Sequence, residues 1–223
     1  MRVVFMGTPD FSVGTLEALA AAGHEIVGVV TQPDKQKGRG KQVQPTPVKE
    51  AANRLGLPVY QPAKVRDPEF VETLRTLQPD VIVVVAFGQL IPASVLELPK
   101  YGCINVHASL LPAYRGAAPI QWAVINGEKE SGVTIMQMDA GLDTGDMLAK
   151  TVVPLDPEET GGSLFDKLSH AGAELLTETL EKLVQGTLVP EKQPEESPTE
   201  YARMIKKEDG RIDWTRPAAE IER

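Results

Sequence analysis

The chain has 223 residues, with 23 Lys+Arg against 31 Asp+Glu for a formal net charge of −8. At 42% hydrophobic and 24% charged it reads as a soluble globular protein with enough core to fold without staples. One cysteine excludes an internal disulfide or a Cys-based zinc site. No segment reads as a signal peptide or approaches the roughly 20 apolar residues of a membrane span, so the cytoplasm is the expected compartment. The acidic balance argues against broad, non-specific nucleic-acid binding.

In chain order, residues 2–6, 26–31 and 81–86 are short Val- and Ile-rich runs suited to strands buried on both faces. Residues 11–22, 46–55 and 67–77 between them carry helical patterns. Gly23 and Gly56 stand where a glycine ends a helix, and Pro79 follows the third. Asp10 or Ser12 is expected to cap the first helix, and Trp122 to lie in a helix core. Further strands are predicted at 103–107, 132–138 and 147–153. A long helix follows at 163–185, with Leu164, Leu168, Leu175, Leu176, Leu180 and Leu183 near a 3.6-residue stripe closed by Gly186. After Val189 the chain turns polar and proline-containing. Residues 190–198 read as a linker or surface-hugging tail, 211–214 as a short strand, and 217–223 as the start of a helix. The predicted fold class is α/β: a Rossmann-like, doubly wound, mostly parallel sheet with helices on both faces. The predicted division is a catalytic domain at 1–189 and a connection at 190–223.

In such sheets ligands bind beyond the carboxyl ends of the strands, near the reversal of strand order. Gly7-Thr8-Pro9-Asp10 after the first strand is not G-x-G-x-x-G, and no Walker-type P-loop occurs, so a dinucleotide or ATP site is disfavoured. The informative stretch is Cys103 to Pro112. Two-residue alternation places Cys103, Asn105 and His107 on one strand face. Asp143 lies in Asp139-Ala140-Gly141-Leu142-Asp143-Thr144-Gly145-Asp146, where two glycines permit a tight turn. Asn, His and Asp arriving from two strand ends make an acid/base and oxyanion set. Cys103 lies about 13 Å down the strand from His107 and is expected to pack in the core. His24 and His170 are expected at the surface or in packing, Met136 and Met138 in the core. No three-ligand metal cluster is visible, so no metal is expected.

Asn105-x-His107-x-Ser109-Leu110-Leu111-Pro112, Arg115-Gly116-Ala117-Ala118-Pro119-Ile120 and Gly141-Leu142-Asp143-Thr144-Gly145-Asp146 together resemble the 10-formyltetrahydrofolate-dependent formyltransferases. Gly7-Thr8-Pro9-Asp10-Phe11, Thr31-Gln32-Pro33-Asp34, Gly38-Arg39-Gly40-Lys41 and the run from Val133 to Met138 extend the resemblance. It is strongest to the branch whose acceptor is methionyl initiator tRNA. The resemblance implies transfer of a formyl group from 10-formyltetrahydrofolate to the methionyl amine, for translation initiation. It implies catalytic roles for Asn105, His107 and Asp143. Asn105 and His107 suit donors to the oxyanion. Asp143 either accepts the amine's proton, directly or through water, or orients and charges His107. Ser109, Leu110, Leu111 and Pro112 match the family's folate signature, Phe87, Gly88, Gln89, Leu90 and Ile91 its pterin-side loop, and Asp139 is assigned with them. The family normally continues into a smaller barrel domain, which this sequence does not contain; a monomer is expected.

The stretch from Asp34 to Lys49 reads as a long, Gly-hinged basic loop carrying Lys35, Lys37, Arg39, Lys41 and Lys49. The resemblance makes it the tRNA contact, with Arg39 central and Lys37 and Lys41 beside it. Arg115 is a second tRNA candidate, although a structural ion pair explains it equally well. Competing readings keep the chemistry and change the acceptor, to a sugar-nucleotide amine, glycinamide ribonucleotide or water (a formyltetrahydrofolate hydrolase). A non-catalytic folate- or RNA-binding module is the competitor from another class.

Overall fold

The computed structural model describes residues 1–37 and 42–223. The first β-α-β unit is β1 (Arg2–Gly7), α1 (Val13–Ala21) and β2 (Glu25–Val30). A 3-10 turn at Asp10–Ser12 enters α1. Neither Asp10 nor Ser12 caps it: the Ser12 hydroxyl, fully buried, donates instead to the Val85 carbonyl at 2.6 Å and ties the helix entry to a neighbouring strand. The stretch expected as a loop contains a two-stranded hairpin, β3 (Lys35–Lys37) against β4 (Gln42–Gln44). Gly38, Arg39, Gly40 and Lys41, expected in the same stretch, lie outside the described residues.

The chain continues with α2 (Pro47–Arg54), β5 (Val59–Tyr60), α3 (Pro68–Leu77), β6 (Val81–Val85), α4 (Ala93–Leu96) and β7 (Cys103–His107). Thr46 caps α2, its hydroxyl accepting the Lys49 N–H at 3.1 Å, and Pro sits at the start of both α2 and α3. Then come α5 (Pro119–Ile125), β8 (Glu130–Gln137), β9 (Met147–Pro154), α6 (Gly161–Gln185) and α7 (Ala218–Glu222). Residues 211–214, expected as a strand, form no strand pairing and run into a turn; an extended segment with no adjacent edge has nothing to hold it.

The main sheet has seven strands in the order β5-β2-β1-β6-β7-β8-β9. The pairs from β5 to β7 are parallel, while β7–β8 and β8–β9 are antiparallel. Strand order reverses between β1 and β6. One face is covered by α1, α2, α5 and α6 over Val3, Phe5, Val83, Ile104, Val106 and Ile135. Leu164, Leu168, Leu176 and Leu180 of α6 are fully buried there, each worth roughly 1.5–3 kcal/mol relative to exposure. Leu175 and Leu183, at the margin of the stripe, are only partly buried. The other face is covered by α3 and α4 over Val4, Met6, Ile82, Val84 and Cys103. Burial pushes the Cys103 thiol up to about 12, consistent with a packing role.

Candidate active site

Because β8 is antiparallel to β7, its carboxyl end lies beside the amino end of β7: the Met138 N–H donates to the Cys103 carbonyl at 2.8 Å. The turn permitted by Gly141 and Gly145 is expected to hold Asp143 against a neighbouring strand end, and Asp143 does lie beside His107 at the end of β7. The loop at 139–146 folds back along the strand to reach the far end of β7. Gly145 makes this possible, since a Cβ there would overlap the Gln137 carbonyl. Asp139 organises the turn from within: its carboxylate accepts the Gly141 N–H and the Thr144 hydroxyl, both at 2.9 Å.

Asp143 sits at φ +56°, a left-handed conformation that Asn and Asp tolerate better than most residues. Its Oδ2 accepts the Gly116 N–H at 2.9 Å and lies 3.8 Å from His107 Nδ1. The other ring nitrogen, Nε2, is 3.0 Å from the Tyr114 carbonyl oxygen. His107 is buried at 6% exposure, so both contacts are made away from bulk water. Asn105 is half-buried on the same strand face, about 7 Å from His107 along β7. Among the described residues its side-chain amide has no hydrogen-bond partner.

The segment after β7 is held tightly. Thr134, fully buried, accepts the Leu111 N–H at 3.0 Å and donates to the Ser109 carbonyl at 2.7 Å. The Ser109 hydroxyl donates to Ala113 O at 2.7 Å. Leu111 is buried with Met136 and Met147, and Leu110 packs over Gly132. Their side chains thus face the protein, and Pro112 remains half-buried. Beyond β6, Phe87 packs in the core and its carbonyl accepts the Thr8 hydroxyl at 2.9 Å. Gln89 accepts the Val65 N–H at 2.8 Å, Ile91 is half-buried, and Gly88 and Leu90 are exposed.

Tyr114, at φ +56°, is a hub that sequence reasoning missed. Its hydroxyl donates to Glu128 and accepts from Asn126 Nδ2, and burial, reinforced by Glu128, pushes it up to about 12. The polar tail was also underestimated. Among the described residues Arg115 forms no ion pair: its guanidinium donates to the Gln193 side chain at 3.1 and 2.9 Å and to the Pro194 and Glu195 carbonyls. Ser197 donates to Pro112 O, Thr199 accepts the Tyr114 N–H, and Ala202 pairs with Gly116. Trp122, half-buried rather than core, donates its indole N–H to Arg203 O at 2.7 Å.

A profile described as "Formyl transferase" matches residues 1–180. The chain belongs to the formyl transferase family. Within it, the methionyl-tRNA formyltransferase of Agathobacter rectalis is 62% identical over 223 residues, covering 100% of this chain and 72% of that protein. Among solved structures, the phosphoribosylglycinamide formyltransferase of Bacillus halodurans is 28% identical with a TM-score of 0.68, covering 82% of this chain and 95% of that one. An N-formyltransferase of Helicobacter canadensis, solved with folinic acid and dTDP-3-aminofucose, shares the fold at 21% identity, covering 100% of this chain and 78% of its own, with a TM-score of 0.73.

A groove of about 900 Å³ between α1 and α6 is lined by Asp10, Glu17, Asp166, His170 and Glu174 and contains none of the Asn105, His107 and Asp143 set. Among the described residues no helix is long and apolar enough to cross a membrane, and no group of three or more His, Cys, Asp and Glu side chains could hold a metal.

At the hairpin base, Lys49 Nζ is 2.6 Å from Asp34 Oδ2, and Gln61 Nε2 donates to Asp34 Oδ1 at 2.6 Å. The bonds from Lys49 and Gln61 hold the Asp34 carboxyl below its usual range. Lys49, counted with the basic loop in the sequence, is thus neutralised locally. Thr31 and Thr46 hydroxyls, 2.7 Å apart, join the hairpin's two flanks.

Proposed function

We infer that this formyl transferase moves a formyl group from 10-formyltetrahydrofolate to the free amine of methionine on initiator tRNA. The observation that carries the chemistry is the line Asn105–His107–Asp143: a half-buried amide with no partner among the described residues, beside an imidazole with one nitrogen held by a carbonyl and the other facing a carboxylate. The acceptor is supported by the 62% identity to a methionyl-tRNA formyltransferase.

The amine attacks the formyl carbon, and negative charge grows on the formyl oxygen. Asn105 donates an amide N–H to that oxygen. A protonated His107 donates from Nδ1, because Nε2–H is committed to Tyr114. One such donor is worth about 3 kcal/mol of barrier. The attacking nitrogen loses a proton to Asp143, directly or through water; as the bond from the formyl carbon to the folate N10 breaks, that proton is passed on to N10, leaving formylated amine and tetrahydrofolate. On the donor side, the backbone of residues 109–112 and of 86–91 flanks the carboxyl ends of adjacent strands β7 and β6, where a flat heterocycle fits between held loops. Gly88 and Leu90 face outward there, while Phe87, Gln89, Ile91, Ser109, Leu110 and Leu111 shape the walls from inside. Asp139 acts by holding the loop of Asp143.

In this reading Arg39, Lys37 and Lys41 contact the tRNA acceptor end. Residues 1–189 carry the reacting side chains, and 190–223 follow as a connection whose first part packs back against them. Formyl transfer with methionyl-tRNA, a sugar-nucleotide amine and glycinamide ribonucleotide as competing acceptors tests the assignment. Methionyl-tRNA is expected to dominate; a preference for either small amine would replace it. Arg39→Ala is expected to raise the KM for tRNA and leave that for the formyl donor unchanged.

A further inference from the structure

Gln193 lies in the polar tail, yet its side chain is 5% exposed and fully hydrogen-bonded. Oε1 accepts from Arg115 Nε at 3.1 Å and Nη2 at 2.9 Å. Nε2 donates to the carbonyls of Asp143 at 2.9 Å and Gly145 at 2.7 Å, and also contacts Met136 Sδ at 3.5 Å. The amide's orientation is unambiguous: a guanidinium only donates and a carbonyl only accepts, so oxygen must face Arg115 and nitrogen the loop. One side chain therefore joins the segment after β7 to the loop that carries Asp143. It does so at the residue whose φ of +56° is intrinsically unfavourable and must be imposed from outside.

The surroundings repeat the pattern. Glu191 bridges to Met147 beside the loop's return, Ser197 and Thr199 bind the backbone of Pro112 and Tyr114, and Ala202 pairs with Gly116. Gly116 is the residue whose N–H holds the Asp143 carboxylate. At Gly116 a Cβ would come within 2.6 Å of Ala202 O, so the tail and the Asp143 cradle meet at one glycine.

We propose that Gln193 is a positioning residue for formyl transfer: its amide holds the Asp143 loop so that the carboxylate stays against Gly116 and opposite His107, and residues 191–203 are part of the active site. The proposal rests on the role given to Asp143 above. Gln193→Glu separates it from a merely structural fastening. Glutamate has the same length and strengthens the pairing with Arg115 into a charged fork. It also turns an oxygen towards two carbonyls, so the loop loses its donors and is repelled.

The test is steady-state formyl transfer by the full chain carrying Gln193→Glu, Gln193→Ala or Gln193→Met, with Asp143→Asn assayed alongside. A displacement of about 1 Å at a reacting group typically costs on the order of 100-fold. Expected is a kcat reduced at least about tenfold in all three variants, a donor KM changed little, and a shifted acidic limb in the pH profile of kcat. Gln193→Glu should be no better than Gln193→Ala. A Gln193→Glu enzyme with the wild-type kcat and pH profile, beside a slow Asp143→Asn, overturns the positioning role alone. A fast Asp143→Asn overturns the reading on which it rests. Gln193→Met, of similar volume, keeps the comparison open where a buried carboxylate is not tolerated.

Discussion

His107 Nε2 and the Tyr114 carbonyl oxygen, 3.0 Å apart, decide which ring nitrogen exchanges a proton. A carbonyl accepts only, so Nε2 carries hydrogen in every protonation state. The other nitrogen, Nδ1, faces Asp143 Oδ2 at 3.8 Å and is the one left for a substrate. A neutral imidazole would present a lone pair to the carboxylate; a charged one presents N–H.

Asp143→Asn isolates the charge. Asparagine tolerates the left-handed backbone and can still accept the Gly116 N–H, so the loop is retained. Turnover should fall by about 10²–10⁴ while the melting temperature holds. Single-turnover transfer measures it, and a wild-type rate would remove the carboxylate from the mechanism.

Asn105→Ala has a different signature. No described residue bonds its amide, so truncation removes a donor to the substrate and nothing from the fold. We expect kcat to drop about 10²–10³-fold, the magnitude of one oxyanion donor, with thermal and chemical stability unchanged. Marked destabilisation would assign the amide to packing instead.

The parallel half of the sheet was legible because Val- and Ile-rich runs buried on both faces have few alternatives. The run 81–86 matches β6, Val81–Val85, to within one residue for that reason. Strand direction was not legible. Alternation along β8 is identical whichever way the strand runs, so the backward path of the Asp143 loop was hidden. The tail was hidden for another reason. Ser197, Thr199 and Ala202 bind through single polar groups to backbone more than 80 residues earlier, leaving no periodic pattern. Ser12 and Trp122 failed similarly: each was read from its own helix, while its partner lies in a distant segment.

Tyr114→Phe probes the hub without touching its carbonyl. Removing the hydroxyl leaves Glu128 and Asn126 without their shared partner and should cost about 1–2 kcal/mol by urea unfolding. A pH signature accompanies it. The hydroxyl titrates near 12 in the folded protein, above the ordinary tyrosine value of about 10. The unfolded chain thus loses that proton first, and stability present below pH about 10 declines as pH rises towards 12. That component should be missing from the Phe variant; parallel alkaline curves for both proteins would refute it.

Gly145→Ala tests whether the folded-back loop is required. The added Cβ overlaps the Gln137 carbonyl, and a backbone atom cannot rotate away. Overpacking of this kind costs about 1–3 kcal/mol, relieved by moving the loop. Asp143 would then leave His107, and kcat should fall by at least about tenfold with donor affinity retained. Full turnover with an unchanged melting point would mean the loop reaches His107 by another route.

Asp34 offers the last test, at the base of the β3–β4 hairpin. Its carboxylate accepts from Lys49 and Gln61, both at 2.6 Å, and pins the entry to β3. Because those bonds depress its folded-state titration, their contribution is complete above the unfolded value of about 3.9 and is lost as pH falls through the lower folded value. Asp34→Asn removes the charge on Lys49's partner at neutral pH. The hairpin should loosen, amide exchange of residues 35–37 and 42–44 should accelerate, and the KM for methionyl-tRNA should rise while that for 10-formyltetrahydrofolate stays constant. A matching rise in both constants would place the effect in the sheet, and unchanged exchange would detach the hairpin's order from Asp34.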